Sequence, residues 1–226
     1  MKYKWVNGIL WHTRLVSSGS RNSYLNHPHI DIWKTLIAIH NGHITYAGDY
    51  LKVLKLLDPR FIMYKYNGYS GYYYRYSYSP YAKWYEEKEE DKNIVSDTWI
   101  ATNLLAMMVR YAILNGFSLR ETFKRFWSNV INGDNFITQL FDGTVVLMIH
   151  KGEAFEYTID PEIGFIASSQ GLISELGYKN VYKGTGIIWI GTSKNPEFII
   201  NDFKRVETIK RKVKGKVIEV RSTTHF

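Results

Sequence analysis

The sequence predicts an α+β fold, in which two adjacent helices lie between two groups of strands. Strand patterns dominate before residue 48 and after residue 135, whereas helical periodicity dominates from 96 to 131. Of the 226 residues, 45% are apolar and 16% are aromatic, which is enough for a buried core. The absence of cysteine excludes disulfides, thiolate metal sites and a cysteine nucleophile within these residues.

Three strands and a helix are predicted before residue 60. ILWHTRLV, LIAIH and HITYA are apolar runs of strand length, and the Asn41-Gly42 pair between the last two is a hairpin signal. The segment GDYLKVLKLL then places leucines at helical spacing, and Asp58-Pro59 ends this helix.

Residues 61–92 are predicted to form an insertion. They hold 10 of the 18 tyrosines and close on the charged run EEKEEDK. One interpretation is an aromatic platform that stacks on bases or sugars, as tyrosines do in single-strand binders. The other is a surface ribbon or an oligomer contact, because tyrosine is also a common amphipathic packing residue.

Two helices follow this insertion. Ser96 is placed to cap the first helix and Asn115-Gly116 to end it. Ser118 and Glu121 have the spacing of a capping box at the start of the second helix. The residues of the second helix expected to face inward are Phe123, Phe126, Trp127 and Val130.

After residue 135 the pattern changes to short strands separated by turns. FITQLF, TVVLMIH, EAFEYTI and FIASS are predicted to form an antiparallel meander, followed by a short helix in SSQGLISELGY and strands in GIIWIG and KVIEVR. The stretch 203–226 is interpreted as a basic C-terminal extension of a single domain, 1–226. A net charge of +8 and a pI near 9.4 favour anionic partners.

The polar segment near the N-terminus carries a family resemblance. It contains His12-Thr13-Arg14, Ser17-Ser18-Gly19, His27-Pro28-His29 and the strand end His40-Asn41-Gly42. In this order and spacing it resembles the class II glutamine amidotransferase domain, of the N-terminal-nucleophile hydrolase type. Val95-Ser96-Asp97-Thr98 at a helix start, and an Ala-Ser-Ser strand end before a short helix, are similar to later blocks of that family.

The resemblance implies a four-layer αββα sandwich with a glutamine pocket. It places Arg14 against the α-carboxylate of glutamine and Asp97 against the α-amino group. Asn41 and Gly42 would supply an oxyanion hole. The pocket wall would include Ser17, Ser18 and His12. The alternative is that Arg14 and Asp97 form an ion pair and that the histidines fill strand ends.

The resemblance fails at the nucleophile. The family uses an N-terminal cysteine whose own α-amino group is the general base. That cysteine lies far upstream of the His-Thr-Arg motif, whereas His12 stands close to the start of this sequence. The domain is therefore predicted to be N-terminally trimmed and to have no catalytic residue of its own.

Three functional hypotheses follow. The first is a non-catalytic binding or structural module, with a Tyr, Ile and Lys content compatible with a viral source. The second is one half of a split amidotransferase whose partner supplies the nucleophile and makes it a glutaminase. The third is a nucleic-acid-associated protein that uses the Tyr-rich segment and the basic tail. The basic positions of that tail are Lys210, Arg211, Lys212, Lys214 and Lys216.

The expected partners are glutamine or a related small molecule, and a second copy or another chain that completes the sheet. No cofactor or metal is expected, because the histidines at 12, 27, 29, 40 and 43 lack a convincing ligand spacing with carboxylates. Neither a long apolar run nor a signal peptide is seen, which predicts no membrane contact. The predicted location is the cytoplasm, or the host cytoplasm or virion if the source is viral.

Overall fold

The computed structural model describes residues 27–66, 93–131, 134–150, 155–160, 164–168, 172–190, 196–200, 203–213 and 216–224. The predicted strand ILWHTRLV and nearly all of the Tyr-rich segment lie outside these ranges. The chain divides into two compact units, Met1–Asn132 with Thr138–Phe141, and Gly133–Ile137 with Asp142–Phe226. The fold is α+β, as predicted.

The first unit is a helical layer packed on a strand pair. Its elements are β1 (His29–Ile30), β2 (Leu36–Asn41), α1 (Ala47–Leu57), α2 (Asp97–Asn115) and α3 (Leu119–Phe126). A 3-10 turn at Pro59–Phe61 follows α1, and a π-helical turn at Trp127–Ile131 continues α3. The strands β1 and β2 are antiparallel, and α2 packs against both of them and against α1 and α3.

The helices of this unit begin and end where their capping residues predict. The Ser96 Oγ accepts the Trp99 N–H at 3.0 Å, and the Ser118 Oγ accepts the Glu121 N–H at 3.3 Å. Gly116 ends α2 in the left-handed conformation, with φ of 68°. Of the four residues expected to face inward in the second helix, Phe123, Phe126 and Val130 are buried, and Trp127 is half-buried.

The predicted strand HITYA is wrong. His43 to Tyr46 make a turn, and Ala47 already begins α1. The Ile44 N–H is bonded to the side chain of Asp97 at 2.9 Å, and the Ile44 carbonyl accepts the Ala47 N–H at 3.2 Å. Because these backbone groups bond to a distant carboxylate and to the following turn, they are not available to a hairpin partner.

The second unit contains two antiparallel sheets that pack face to face. The strands are β3 (Asn135–Leu140), β4 (Val145–Ile149), β5 (Glu156–Asp160), β6 (Gly164–Ser168), β7 (Val181–Gly184), β8 (Gly186–Ile190), β9 (Pro196–Ile200), β10 (Phe203–Val213) and β11 (Lys216–Thr224). One is part of a six-stranded sheet of order β1-β2-β3-β4-β8-β9, in which Thr138–Leu140 of β3, like β1 and β2, belong to the first unit. The other has the order β11-β10-β7-β5-β6, with the short helix α4 (Leu172–Glu175) packed on β5 and β6.

The predicted meander is only partly correct. The strands are present, but β4 pairs with β8, whereas β5 pairs with β6 and β7 in the other sheet. The chain changes sheets between β4 and β5, so that apolar side chains of both strands meet in one core. That core is formed by Leu147, Ile149, Phe155, Tyr157, Ile188 and Ile190.

The basic stretch at 203–226 is an integral part of this unit. The strands β10 and β11 form a long antiparallel pair, and β10 is joined to β7 through Phe203–Val206. The segment KVIEVR therefore finds a partner strand within the chain. No helix in the described part of the chain is long and apolar enough to cross a membrane.

Candidate functional site

The start of α2 is built around the carboxylate of Asp97. This residue follows the cap Ser96, in the first turn of the helix, where the helix dipole favours a negative charge. Its Oδ2 accepts the Ile44 N–H at 2.9 Å and lies 3.3 Å from the His43 Nδ1. Its Oδ1 accepts the Thr98 N–H at 2.8 Å. The carboxylate thus ties the helix to the turn that follows β2.

Asp97 is held in its ionised form. Burial by itself raises the pKa of this carboxyl, but the hydrogen bond from His43, the nearby His40 and the Ile44 N–H together outweigh it and hold the pKa well below its usual range. The Asp97 side chain retains 15% of its exposure and that of His43 retains 45%. Asp97 is therefore a partly exposed anion in the first unit, and the half-exposed imidazole of His43 lies next to it.

The predicted oxyanion-hole residues lie directly before this turn. Asn41 is the last residue of β2, and Gly42 follows it with φ of 151°, which favours glycine. Both residues are exposed, whereas Ile44 is buried. The structure therefore brings Asn41, Gly42 and Asp97 to one place, although they are far apart in the sequence.

The histidines of the two predicted motifs surround the same helix start. The His29 Nε2 lies 2.9 Å from the Ser96 Oγ, and the His40 Nδ1 lies 3.1 Å from the Thr98 Oγ1. The His40 N–H also points to the His27 Nδ1 at 3.4 Å. Because His29 and His40 are both buried, the motifs His-Pro-His and His-Asn-Gly act here as supports for the first turn of α2.

Two buried polar residues that the sequence analysis missed hold the hairpin between β1 and β2. Asp31 accepts the N–H groups of Trp33, Thr35 and Leu36 at 2.6 to 2.8 Å. Asn103, on α2, accepts the Ile32 N–H at 3.0 Å. An aspartate shortly before the predicted strand LIAIH, where an Asx turn can form, was the available signal for Asp31, whereas nothing local identifies Asn103.

An aromatic cluster lies beside the same helix start. Trp99 contacts Tyr64 and Phe61, with ring centroids 4.6 and 5.8 Å apart, and Phe61 contacts Trp33 at 5.6 Å. The guanidinium groups of Arg60 and Arg110 lie 5.2 and 5.7 Å from the Trp33 ring. Trp99 stands where the resembling family has a glutamate, and its packing in this cluster accounts for an aromatic residue at that position.

The predicted insertion at 61–92 begins from this cluster. Phe61 is fully buried and belongs to the core. Lys65 and Ile94 form a parallel bridge, with the Lys65 N–H bonded to the Asn93 carbonyl at 2.8 Å and the Val95 N–H bonded to the Lys65 carbonyl at 2.9 Å. Burial and the nearby charge of Asp97 raise the pKa of Tyr66, so the beginning of this segment lies close to the candidate site.

A fully buried carboxylate of the second unit, Glu156, was not predicted. Glu156 has no exposed surface. Its Oε1 lies 2.6 Å from the Lys183 Nζ and also accepts a hydrogen bond from the Ser174 hydroxyl. Its Oε2 accepts the Ser174 N–H at 2.8 Å. Burial raises the pKa of Glu156, but the hydrogen bonds from Lys183 and Ser174 outweigh it, so the pKa is lowered overall. Glu156 and Lys183 are register partners on β5 and β7, so this cluster joins two strands to α4.

The remaining predicted pocket residues, His12, Arg14, Ser17 and Ser18, lie outside the described residues. Within the described ranges, no group of three or more histidine and carboxylate side chains is arranged to hold a metal ion. A comparison with protein-family models and with curated proteins finds no match to this chain.

Proposed function

We propose that this chain is a class II glutamine amidotransferase-like module that binds glutamine, or a closely related α-amino acid, without hydrolysing it. The observation that supports this most directly is Asp97. It is an ionised carboxylate at the start of α2, next to the Asn41-Gly42 turn, and an ionised carboxylate is the group that recognises an α-ammonium.

His43 marks the position that the ligand ammonium would take. Its imidazole is 3.3 Å from the Asp97 Oδ2 and is half-exposed, so it can rotate away without uncovering the core. The Ile44 and Thr98 N–H groups would stay on the carboxylate and keep it oriented. The proposal is therefore that a ligand ammonium replaces the imidazole of His43 beside a fixed anion.

The helices and strands of each unit, taken separately, are compatible with the αββα sandwich that the resemblance implies. In the first unit, α2 packs on β1 and β2. In the second, two sheets share a core and α4 covers β5 and β6. These arrangements support the sandwich as the proposed architecture.

Binding rather than hydrolysis is proposed because the family reaction needs a thiolate, and these 226 residues contain no cysteine. Arg14 is assigned the α-carboxylate by the resemblance alone. If that assignment is right, Arg14 and Asp97 hold the two ends of the same zwitterion.

Calorimetric titration with L-glutamine tests the proposal, and glutaramate, which is glutamine without its α-amino group, is the matched ligand. We expect glutamine to bind at least tenfold more tightly than glutaramate, since a charged hydrogen bond contributes about 1.5 to 3 kcal/mol. Asp97→Asn should abolish that preference, whereas Asp49→Asn, which removes an exposed carboxylate on α1, should preserve it.

Arg14→Ala should weaken the binding of both ligands equally, because both carry the α-carboxylate. Equal affinity of the wild-type chain for glutamine and glutaramate would contradict the role of Asp97. The melting temperature of each variant without ligand separates lost binding from lost folding.

A further inference from the structure

Residues 207–213 of β10 and 216–222 of β11 form a two-stranded ribbon. β10 pairs with β7 only through Phe203–Val206. From Glu207 to Val213 its partner among the described strands is β11 alone, in unbroken antiparallel register down to the pair Val213 and Lys216. At a rise of about 3.4 Å per residue, this two-stranded ribbon continues for roughly 24 Å beyond the last pair with β7.

The positive charge of the ribbon is concentrated at its turn end. The four register pairs nearest the turn are Lys210 with Glu219, Arg211 with Ile218, Lys212 with Val217, and Val213 with Lys216. These pairs contain four cationic residues and one anionic residue. Lys214, in the connection itself, lies outside the described residues and adds a fifth basic residue to the sequence there.

The cations occupy both faces of the ribbon. Residues paired across an antiparallel ladder share a face, and successive residues alternate between faces. Lys210 and Lys212 therefore have positions on one face, and Arg211 and Lys216 have positions on the other. A ribbon on a flat anionic surface meets that surface with one face only, whereas a ribbon in a groove runs between two rows of phosphates, which long basic side chains from either face could reach.

We propose that this ribbon binds double-stranded DNA by entering the major groove. The major groove of B-form DNA is about 12 Å wide and admits a two-stranded β-ribbon. The major groove of A-form RNA is deep and narrow and does not admit such an element. The net charge of +8 attracts the duplex. The ribbon is the part of the chain whose shape and positive charge both match the groove.

The test measures binding of the full chain to a fluorescent DNA duplex of about two helical turns, by anisotropy, between about 50 and 200 mM salt. For four neutralised phosphates, the logarithm of the affinity should fall with the logarithm of the salt concentration with a slope near −4. The variant K210Q/R211Q/K212Q/K216Q should lose at least tenfold in affinity and most of that slope.

The matched control is K52Q/K124Q/R125Q/K179Q, which removes the same charge from four exposed positions outside the ribbon. It should change the affinity less than threefold. An equal loss in the control, unchanged binding in the ribbon variant, or equal affinity for a double-stranded RNA of the same length would each overturn the proposal. If the ribbon variant melts below the assay temperature, Arg211→Glu is compared with Lys124→Glu under the same criteria. The outcome is independent of glutamine binding.

Discussion

Two ionised carboxylates, Glu156 in the second unit and Asp97 in the first, differ in burial and in the kind of partner that each one has. Glu156 has no exposed surface and is bound by an ammonium, a hydroxyl and a backbone N–H. Asp97 keeps part of its surface, and among its partners is a half-exposed imidazole. The Glu156 cluster is closed to solvent on the carboxylate side, as expected of a structural ion pair, whereas the Asp97 cluster has a partner that a ligand could replace.

Removing the Lys183 ammonium should cause the largest loss of unfolding free energy. Lys183→Met leaves the charge of Glu156 buried without its cation, which typically costs about 3 to 5 kcal/mol of unfolding free energy. Urea denaturation followed by circular dichroism measures this loss. In the control Lys52→Met, which breaks the exposed pair with Asp49, we expect a loss of about 0.5 kcal/mol or less. Similar losses in both variants would contradict a structural role for the buried pair.

Asp97→Asn should have an intermediate effect on stability. The amide keeps the shape and one acceptor oxygen, but it loses the charge that the Ile44 and Thr98 N–H groups and His43 share. We expect a loss of about 1 to 3 kcal/mol, measured by the same denaturation. A stability loss larger than that of Lys183→Met would contradict the inference that Glu156 matters more for folding than Asp97 does.

The pH dependence of stability should reflect both carboxylates. Each has a pKa lowered in the folded chain, so each contributes stability above its unfolded pKa of about 4 and loses it as the pH falls through the folded value. Thermal melts from about pH 7 downward should therefore show a decline that begins near pH 5. The decline should be shallower in Asp97→Asn, and an unchanged slope would contradict the lowered pKa of Asp97.

His43→Ala should have the smallest effect on folding. Its imidazole is nearly half-exposed, and a loss of about 0.5 kcal/mol or less is expected in the denaturation assay. The same variant should bind glutamine more tightly, because the ligand ammonium would no longer compete with His43 for Asp97. Weaker binding in His43→Ala would show that the imidazole contacts the ligand directly.

Local signals predicted most of the secondary structure. The caps Ser96 and Ser118 and the stop at Gly116 depend on groups within a few residues, so the bounds of α2 and the start of α3 could be predicted from the sequence. The strand predicted at 43–47 was wrong because the hydrogen bond that decides the local structure joins Ile44 to Asp97, 53 residues away. The change of sheet between β4 and β5 likewise depends on which apolar faces meet, which no local pattern contains.

The candidate site was predictable only as a set of motifs. The resemblance named Asn41, Gly42 and Asp97, and in the structure the turn that follows Asn41 and Gly42 is bonded to Asp97 through the Ile44 N–H. It did not identify His43 as the partner of Asp97. Glu156 was missed because apolar and polar residues alternate in EAFEYTI, and the polar positions of such a strand are ordinarily expected to face solvent. Since β5 is covered on both sides, Glu156 faces α4 while Phe155 and Tyr157 face the other sheet.

The bridge between Lys65 and Ile94 has a consequence for how this chain can change over evolution and in the laboratory. The residues that flank 67–92 are held side by side by the backbone hydrogen bonds of Lys65 with Asn93 and Val95, so we expect the first unit to tolerate changes in the length of the sequence between them. The closure entropy of a loop grows only slowly with its length. A reporter or a binding peptide could therefore replace residues 67–92 at this position, beside the start of α2.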